Sequence, residues 1–551
     1  MRPLLERLGG FLPAAIALAL PTVFIPIAVD SYILPRAAIV VAGAGLGVGI
    51  ALLLPGGPGL GPLRIPLIAA VAAALLAFAF SVSWPVSLIG SYTRYESLAI
   101  RLGYLGLLAA PVWLLRNVRS RDLVIPAFVA GSTIASLEAL WQQQLLNSHM
   151  IDYRPDGNLG NANLLGALLA MAIPLAVARG LRRGQFRISW WLGVAVMTAG
   201  LVASTSRSGG LGALAGCLAV AVLGLKGRWA IGGSVVAGAV VGLALLAILF
   251  SPLRLLNDDP GPARLHLWPD AIRMIAARPV TGWGEDTTGL EFGHFLTGNW
   301  APQVDRAHSG PLDIAATQGV IGLAALGWVL VTLVRAAWRW RFADSSWLQI
   351  AWLNRAWTWR SSDSIGALLA ACLGYSVWVL FNFDWAPATG AFWLLAGTAW
   401  SGVRASEAEE RSPTAGGQEP SPPRKNLRSV GALILAAAVV WFGALPVLAD
   451  VWYYSSRLDL AVVADPLQGR YHWAYGKSLI ATGSTNRGLS EMLLAASLGE
   501  SDPQLYVDIG DTEQGLGHTV EARAAYRMAL TIDPFFTPAR QRMAGEGTAS
   551  S

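Results

Sequence analysis

The sequence predicts an all-α polytopic membrane protein of about thirteen transmembrane helices, followed by a small helical domain. Of the 551 residues, 54% are hydrophobic and only 13% are charged, whereas a typical soluble protein has about 25% charged residues. The apolar residues occur in runs of about 20, the length that a helix needs to cross a bilayer. Many of the 23 tryptophans lie near the ends of these runs, as interfacial anchors do. These three observations together favour the membrane class.

The apolar runs define the candidate spans in order. Several are rich in glycine and alanine, which allows helices to approach each other closely in lipid. The first run follows Arg2 and Arg7 and shows no convincing cleavage site, so we expect an uncleaved first helix. The candidate spans cover roughly residues 11–29, 37–54, 65–84, 99–115, 123–141, 161–178, 188–204, 208–225, 229–250, 311–334, 364–381, 386–403 and 429–449.

The connections between the spans predict the orientation. Basic clusters such as 116–121 and 179–187 favour the cytoplasmic side by the positive-inside rule, which places the N-terminus there as well. Further basic connections are 226–228, 335–360 and 404–428. The opposite side then receives the loops around Tyr92 and Asp384 and all six histidines. The net charge of +6 lies largely in these clusters and does not indicate nucleic-acid binding.

Changes in composition divide the chain. Residues 1–403 form the predicted membrane domain, whose large outer loop is the polar stretch 251–310. Residues 404–428 are rich in Pro, Gly, Ser and Glu, which is typical of a flexible linker. The last span, 429–449, returns the chain to the outer side, where residues 450–551 form a soluble tail.

The tail contains a helical repeat pattern. A degenerate copy, with small residues such as Gly476 and Ala495, precedes a clearer copy that ends at Pro534. Two copies are fewer than the roughly three that independent stability requires, so we expect the tail to rest on the membrane domain. It could also recruit a protein partner. The clearer copy matches the tetratricopeptide pattern at Tyr506, Ile509, Gly510, Gly517, Ala522, Tyr526 and Ala529.

Outward-facing arginines are the first candidate site residues, because ionisable groups at a membrane are costly and usually functional. Arg207 opens a span at its outer end, against the positive-inside bias; alternatively, it snorkels to the interface and sets topology. Arg94 either binds ligand or pairs with Glu96. Arg154 precedes a polar turn that runs into a helix. In that turn, Asn161 and Asn163 are expected to cap the helix or to contact ligand.

His308 is the candidate general base. It begins a span directly after Asp305 and Arg306, and a neutral imidazole can accept a hydroxyl proton near neutral pH. The alternative is a satisfied interfacial histidine. Arg264 and Arg273 lie in the same outer loop, and a guanidinium suits bidentate phosphate binding.

The sequence shows no metal-ligand cluster, no phosphate-binding glycine loop and no disulfide framework. We therefore expect no cofactor and no metal. A donor already activated as a lipid diphosphate suits these residues. The arginines would neutralise the leaving diphosphate, and the histidine would activate an acceptor hydroxyl.

Two motifs resemble those of the O-antigen ligase and O-antigen polymerase superfamily of bacterial envelope glycosyltransferases. The segment 207–211 has an arginine followed four positions on by leucine, and His308 is followed eleven positions on by Gly319. The segment 264–284 is similar to the large periplasmic loop of that family, and 160–163 before a helix is also similar. The resemblance covers roughly residues 85–400 and is strongest at 200–325. Some relatives carry a tetratricopeptide tail.

The resemblance implies a metal-independent, GT-C-like fold and an undecaprenyl-diphosphate-linked glycan as donor. Arg207 and Arg264 would hold the diphosphate, and His308 would activate the acceptor hydroxyl, with inversion at the anomeric carbon. It leaves open whether Arg264 or Arg273 is the key loop arginine. The substrate-binding candidates are Arg94, Arg154, Asn161, Asn163, Arg273, Asp305 and Arg306.

The acceptor also stays open. An O-antigen ligase uses lipid A-core in lipopolysaccharide biosynthesis, a polymerase uses a second lipid-linked repeat unit, and a protein O-oligosaccharyltransferase uses a protein hydroxyl. The motifs favour the ligase. We expect the protein to lie in the bacterial inner membrane, in contact with membrane lipids, with the C-terminal domain outside. The alternative from another class is a lipid-linked glycan transporter, which predicts charges within many spans and inverted repeats. The sequence shows few charges in mid-span and no obvious halves. A scaffold that works through its tail would leave the arginines unexplained.

Overall fold

The computed structural model describes residues 2–54, 56, 59–181, 186–221, 228–250, 261–300, 304–342, 362–411 and 425–549. Within these ranges the chain is helical and contains no strand, which confirms the predicted all-α class.

The helices fall into three groups along the chain. The first ten are α1 (Arg2–Thr22), α2 (Ile33–Leu53), α3 (Arg64–Ala79), α4 (Trp84–Ile89), α5 (Leu98–Leu114), α6 (Val118–Asn147), α7 (Ala162–Gly180), α8 (Arg187–Ser204), α9 (Arg207–Ala219) and α10 (Arg228–Phe250). The middle group is α11 (Gly261–Ala277), α12 (Thr288–Glu291), α13 (Gly310–Phe342), α14 (Ser362–Val379), α15 (Ala386–Arg411), α16 (Lys425–Val439) and α17 (Leu445–Tyr454). The last group is α18 (Leu458–Ala464), α19 (Gly469–Ala481), α20 (Thr485–Ser497), α21 (Pro503–Gly515), α22 (Thr519–Ile532) and α23 (Thr537–Ala549).

In the described part of the chain, eight helices are long and apolar enough to cross a membrane. A helix overlaps each predicted span, although several bounds differ. The first span, predicted at 11–29, is helical at Arg2–Thr22 instead, and non-helical backbone then leads to Ile33. The structure confirms a polytopic helical protein, and the number of thirteen spans stays a prediction.

Helix α7 lies at the centre of the bundle, and 89% of its most apolar 18-residue stretch is buried. Glycines allow its neighbours to approach closely: a Cβ on Gly209 of α9 would lie 2.6 Å from the Cα of Gly166 on α7. A Cβ on Gly374 of α14 would lie 2.4 Å from the carbonyl oxygen of Ala170 on α7. This is the close packing that small residues permit in lipid. It holds the starts of α7 and α9 side by side.

The predicted outer loops meet at one end of the bundle. The backbone N–H of Ser91 donates to Asp286 (2.7 Å), the hydroxyl of Tyr92 donates to Asp450 (2.7 Å), and Arg36 donates to the carbonyl of Asn158 (2.8 Å). The predicted cytoplasmic connections contact each other elsewhere, as in the ion pair of Arg179 with Asp122. The predicted outer loops and the predicted cytoplasmic connections therefore form two separate clusters, as expected for spans that cross the membrane in alternating directions. Which cluster faces the cytoplasm stays a prediction.

Helix α13 is broken at Gly319, whose φ of 66° and ψ of −166° are accessible essentially to glycine alone. The segment 279–284 docks onto the break through backbone hydrogen bonds. Trp283 N–H donates to the carbonyl of Ala316 (2.9 Å), Gly284 N–H donates to that of Thr317 (3.0 Å), and Val320 N–H donates to that of Pro279 (2.8 Å). The break thus ties the segment after α11 to the helix that follows His308.

The tail consists of helix pairs that lie against the outer loops. α19 packs on α20 and α21 packs on α22. A Cβ on Gly510 would lie 2.3 Å from the ring of Tyr526, so this small residue lies where its two helices touch. The tail contacts the membrane domain at Gly293, where an added Cβ would lie 2.3 Å from the carbonyl oxygen of Ile532. The tetratricopeptide assignment itself stays a prediction.

The predicted linker and some loops lie partly outside the described residues. Within the linker 404–428, α15 continues to Arg411 and α16 begins at Lys425, while 412–424 lie outside the described residues. The same holds for 182–185 and 226–227 in two basic connections and for 343–361 after α13. In the outer loop, 251–260 and 301–303 lie outside the described residues.

Candidate active site

A cavity of about 730 Å³ lies at the end of the bundle where the predicted outer loops meet. Its walls come from the connection between α6 and α7, from α11, from the residues before α13, and from the connection between α14 and α15. Of the ten predicted site residues, the cavity lining includes Arg94, Arg154, Asn161, Asn163, Arg264 and His308.

Arg154 and Arg264 form a cationic wall within the cavity, whose lining elsewhere also includes Asp152 and Asp156. Arg154 donates to the carbonyl of Ser204 (2.7 Å) and to the hydroxyl of Thr205 (2.9 Å), which ties it to the turn between α8 and α9. Burial, aided by the charges of Arg207 and Arg264, lowers the pKa of Arg154 to about 10. Burial and Arg207 likewise lower the pKa of Arg264. The three guanidinium groups therefore repel one another, and a bound anion would relieve that repulsion.

Arg264 has a hydrogen-bond donor that no described residue uses. Its Nε is buried and has no hydrogen-bond partner among the described residues. A buried donor without a partner costs free energy, and a ligand oxygen would remove that cost. Neither Arg154 nor Arg264 forms an ion pair with a described carboxylate. Arg207 begins α9 and does not line the cavity, but its charge acts on both of these arginines.

The start of α7 faces the same cavity. Asn161 is the N-cap of α7, and its side-chain oxygen accepts from the N–H of Asn163 (2.8 Å). The side-chain oxygen of Asn163 lies 3.4 Å from Nη2 of Arg154. The structure therefore shows capping for Asn161, and contact of Asn161 or Asn163 with a ligand stays a prediction. The N-terminus of a helix adds partial positive charge, which favours an anion at this wall.

His308 is held in a left-handed backbone conformation, with φ of 54°, just before α13. The N–H of the adjacent Ala307 donates to Asp313 (2.8 Å), so a carboxylate of α13 supports this turn. The imidazole packs edge-to-face on Phe383, with ring centroids 5.1 Å apart. Burial lowers the pKa of His308 to about 4; Asp305 opposes the shift, and Arg264, Arg94 and Arg306 add to it. The imidazole is therefore neutral at pH 7.

Asp305 and Arg306 do not line the cavity but form ion pairs beside it. Asp305 pairs with Arg94, which places that guanidinium over Trp385, 4.8 Å from the ring centroid. Arg306 is buried and pairs with Asp286. Arg94 therefore does not pair with Glu96 as one alternative proposed. Glu96 instead accepts from the hydroxyl of Tyr104 (2.6 Å).

The structure separates the two loop arginines. Arg264 lies near the start of α11 and lines the cavity, whereas Arg273 lies nine residues further along the same helix, about two and a half turns, and does not. Arg273 pairs with Asp270, donates to the carbonyl of Phe295 (3.1 Å), and its side chain is 49% exposed. The geometry therefore favours Arg264 over Arg273 as the arginine of the site.

Sequence reasoning missed the wall formed by Trp378, Asn382, Phe383 and Trp385. A signal was present: the segment 381–385 is a run of aromatic, amide and acidic residues at the outer end of a predicted span. It also missed a buried ion network, in which Arg101 pairs with Asp384 (2.9 Å) and Glu285 (3.4 Å). In this network Glu285 also accepts from Gln318 (2.6 Å), one residue before the break in α13.

Within the ranges that the structure covers, no group of three or more His, Cys, Asp or Glu residues could hold a metal ion.

Comparison with known families gives a match over residues 192–327, to the family described as O-Antigen ligase. That range includes Arg207, Arg264, His308 and Gly319. This match confirms the predicted resemblance to the O-antigen ligase superfamily over residues 192–327. At the level of the family, the match supports glycan transfer of the ligase or polymerase type. Searches of the curated proteins and of the solved structures found no match.

Proposed function

We propose that this O-antigen ligase relative moves a glycan from an undecaprenyl-diphosphate carrier to an acceptor hydroxyl at the outer face of the bacterial inner membrane. The observation that supports this most is the convergence of Arg154 and Arg264 with His308 on one cavity. Two guanidinium groups without carboxylate partners suit a diphosphate, and a neutral imidazole suits a hydroxyl proton. The proposed donor, acceptor and inner-membrane location, with a cytoplasmic N-terminus and the tail outside, go beyond what the family match over residues 192–327 supports.

The diphosphate would occupy the cationic wall. Arg264 would use its unpartnered Nε, Arg154 would use the face that its bonds to Ser204 and Thr205 leave open, and the start of α7 would add partial positive charge. Arg207 would stabilise the same negative charge through space. Charge on the diphosphate grows as the sugar–phosphate bond breaks, so these groups would stabilise the transition state more than the ground state.

His308 would act as the general base. As the acceptor oxygen bonds to the anomeric carbon, the bond from that carbon to the phosphate oxygen breaks and the lipid diphosphate leaves with its electron pair. The acceptor proton passes to the neutral imidazole. Attack opposite the leaving group inverts the anomeric carbon. No step in this scheme uses a metal, so we expect transfer to continue in the presence of a chelator.

The three acceptor classes remain distinct outcomes within the same chemistry. Lipid A-core would define a ligase, a second lipid-linked repeat unit a polymerase, and a protein hydroxyl a protein O-oligosaccharyltransferase. A lipid-linked glycan transporter would bind the donor in the same cavity without transferring the glycan. Incubation of the purified protein with the donor and each acceptor separates these possibilities directly.

Replacement of Arg264 by alanine is expected to lower kcat/KM for the donor by about 100-fold, because a charge-assisted contact to the leaving diphosphate is lost. Arg273→Ala is the matched control, since it removes a guanidinium from the same helix outside the cavity, and its transfer rate should stay within about twofold. The measurement is the initial rate of glycan transfer with chelator present. A larger loss in Arg273→Ala than in Arg264→Ala would contradict the proposed diphosphate site.

The pH dependence of transfer should reflect the environment of His308. Its pKa of about 4 lies below the ordinary value of about 6.5, so the free enzyme keeps a neutral base across mildly acidic pH. We expect kcat/KM to hold between pH 7 and about pH 5 and to fall as the pH drops through about 4, where the imidazole becomes protonated. A fall in kcat/KM near pH 6.5 would contradict the burial of His308 that the structure shows.

A further inference from the structure

One wall of the cavity is formed by uncharged side chains, and Arg94 lies over the ring of Phe383 at its edge. This wall is formed by the end of α14 and the residues that follow it, including Trp378, Asn382 and Phe383. Phe383 also packs against the imidazole of His308, with centroids 5.1 Å apart. The neutral wall therefore lies directly beside the proposed base.

The amide of Asn382 is held in one orientation. Its Nδ2 donates both to the hydroxyl of Ser208 (2.9 Å) and to the carbonyl of Trp378 (3.0 Å). Because a backbone carbonyl can only accept, the nitrogen must face Trp378. Both amide N–H groups are thereby used, and Oδ1 has no hydrogen-bond partner in the described part of the chain. This oxygen is an oriented acceptor on a side chain that lines the cavity.

Trp378 lies on the same wall and carries a donor that no described residue uses. Its side chain is only 1% exposed, and its indole Nε1 is buried without a hydrogen-bond partner in the ranges that the structure describes. Buried polar groups in folded proteins are nearly always satisfied, so an unpartnered donor beside a cavity points to a ligand. Asn382 therefore offers an acceptor to the cavity, and Trp378 holds an unused donor buried just behind the cavity surface.

We propose that Trp378 and Asn382 form a sugar subsite that reads the polar substituents of a neutral sugar ring. An ionised phosphate only accepts hydrogen bonds, so Asn382 Oδ1 would disfavour it; a sugar hydroxyl or acetamido group also donates. The subsite adjoins both the cationic wall and His308, where the reacting sugar of the donor or the acceptor sugar must lie. This inference rests on the proposed function, because it assigns the part of the substrate that lies between the diphosphate and the base.

The test compares the binding of undecaprenyl diphosphate with that of the same lipid carrying a single hexose or acetamido-hexose. Trp378→Phe keeps an aromatic ring and removes the donor, and Asn382→Ala removes the acceptor. In each variant we expect about tenfold weaker binding of the sugar-bearing lipid and unchanged binding of the sugar-free lipid. Trp328→Phe is the matched control, because Trp328 lies on α13 outside the cavity lining and is 48% exposed.

A second arm of the test distinguishes the two sources of the sugar. If donor binding is unchanged but KM for lipid A-core rises about tenfold in both variants, the subsite belongs to the acceptor. The proposal would be overturned if both lipids bound more weakly by the same factor, or if neither lipid binding nor KM for lipid A-core changed. Binding does not require turnover, so its outcome is separate from that of the transfer assay. Sugar-dependent binding by a wild-type protein that transfers to no acceptor would refute the transferase and keep the subsite.

Discussion

Transfer by a His308→Asn variant is expected to be lower than that of the wild type by about 10²- to 10⁴-fold in kcat, the usual contribution of a general base. Asparagine suits this position because it tolerates a left-handed backbone better than most residues, and His308 has a φ of 54°. The turn should therefore persist while the proton acceptor is lost. Donor binding should change little, because the cationic wall is intact.

The matched control for this variant is His294→Asn. The side chain of His294 is 53% exposed in the outer loop, and it does not line the cavity. Its transfer rate should equal that of the wild type. Both variants should be checked for expression and for thermal unfolding in detergent. If His308→Asn is folded, binds the donor and still transfers at the wild-type rate, the proposed base is wrong.

A comparably large loss is expected from Gly319→Ala, although Gly319 does not line the cavity. An added Cβ would lie 2.2 Å from the carbonyl oxygen of Val280, a backbone atom that cannot move without displacing the docked segment. The φ of 66° and ψ of −166° would also be strained for alanine, by about 1–3 kcal/mol. We expect the segment 279–284 to leave the break in α13. A shift of about 1 Å at a catalytic group can reduce the rate about 100-fold, and we expect a loss of at least that size.

Gly327→Ala is the control for this substitution, because Gly327 lies on the same helix and an added Cβ there meets no atom within 4 Å. It should leave transfer unchanged and should not lower stability, since alanine favours helix over glycine. The measurement is the transfer rate together with the thermal unfolding midpoint of each variant. Wild-type transfer by a folded Gly319→Ala protein would show that the docked loop does not position the site.

The sequence motifs predicted several of the residues that line the cavity. Arg154 stood out as an arginine on the outer side, against the positive-inside bias. Arg264 stood out because a guanidinium suits a phosphate, and His308 because a neutral imidazole can accept a hydroxyl proton. The same reasoning could not separate Arg264 from Arg273, since both lie in one polar loop. Helical geometry separates them, because residues nine positions apart along α11 lie about 13 Å apart along the helix axis. Asp270 then pairs with Arg273 and keeps it away from the cavity.

The sequence by itself determined the helical membrane class, because runs of apolar residues must satisfy their backbone within each helix when they cross lipid. It also determined the O-antigen ligase resemblance, since motif spacing along a chain is a local property. Only the tertiary structure decided how distant segments meet. Arg101 pairs with Glu285, which is far away in the sequence. The segment 279–284 forms hydrogen bonds with the break in α13 at Gly319, which also lies outside its own element. The wall of Trp378 and Asn382 was hidden for the same reason: aromatic and amide residues at the end of a span are common, and only packing against α9 and His308 gives them a cavity to line.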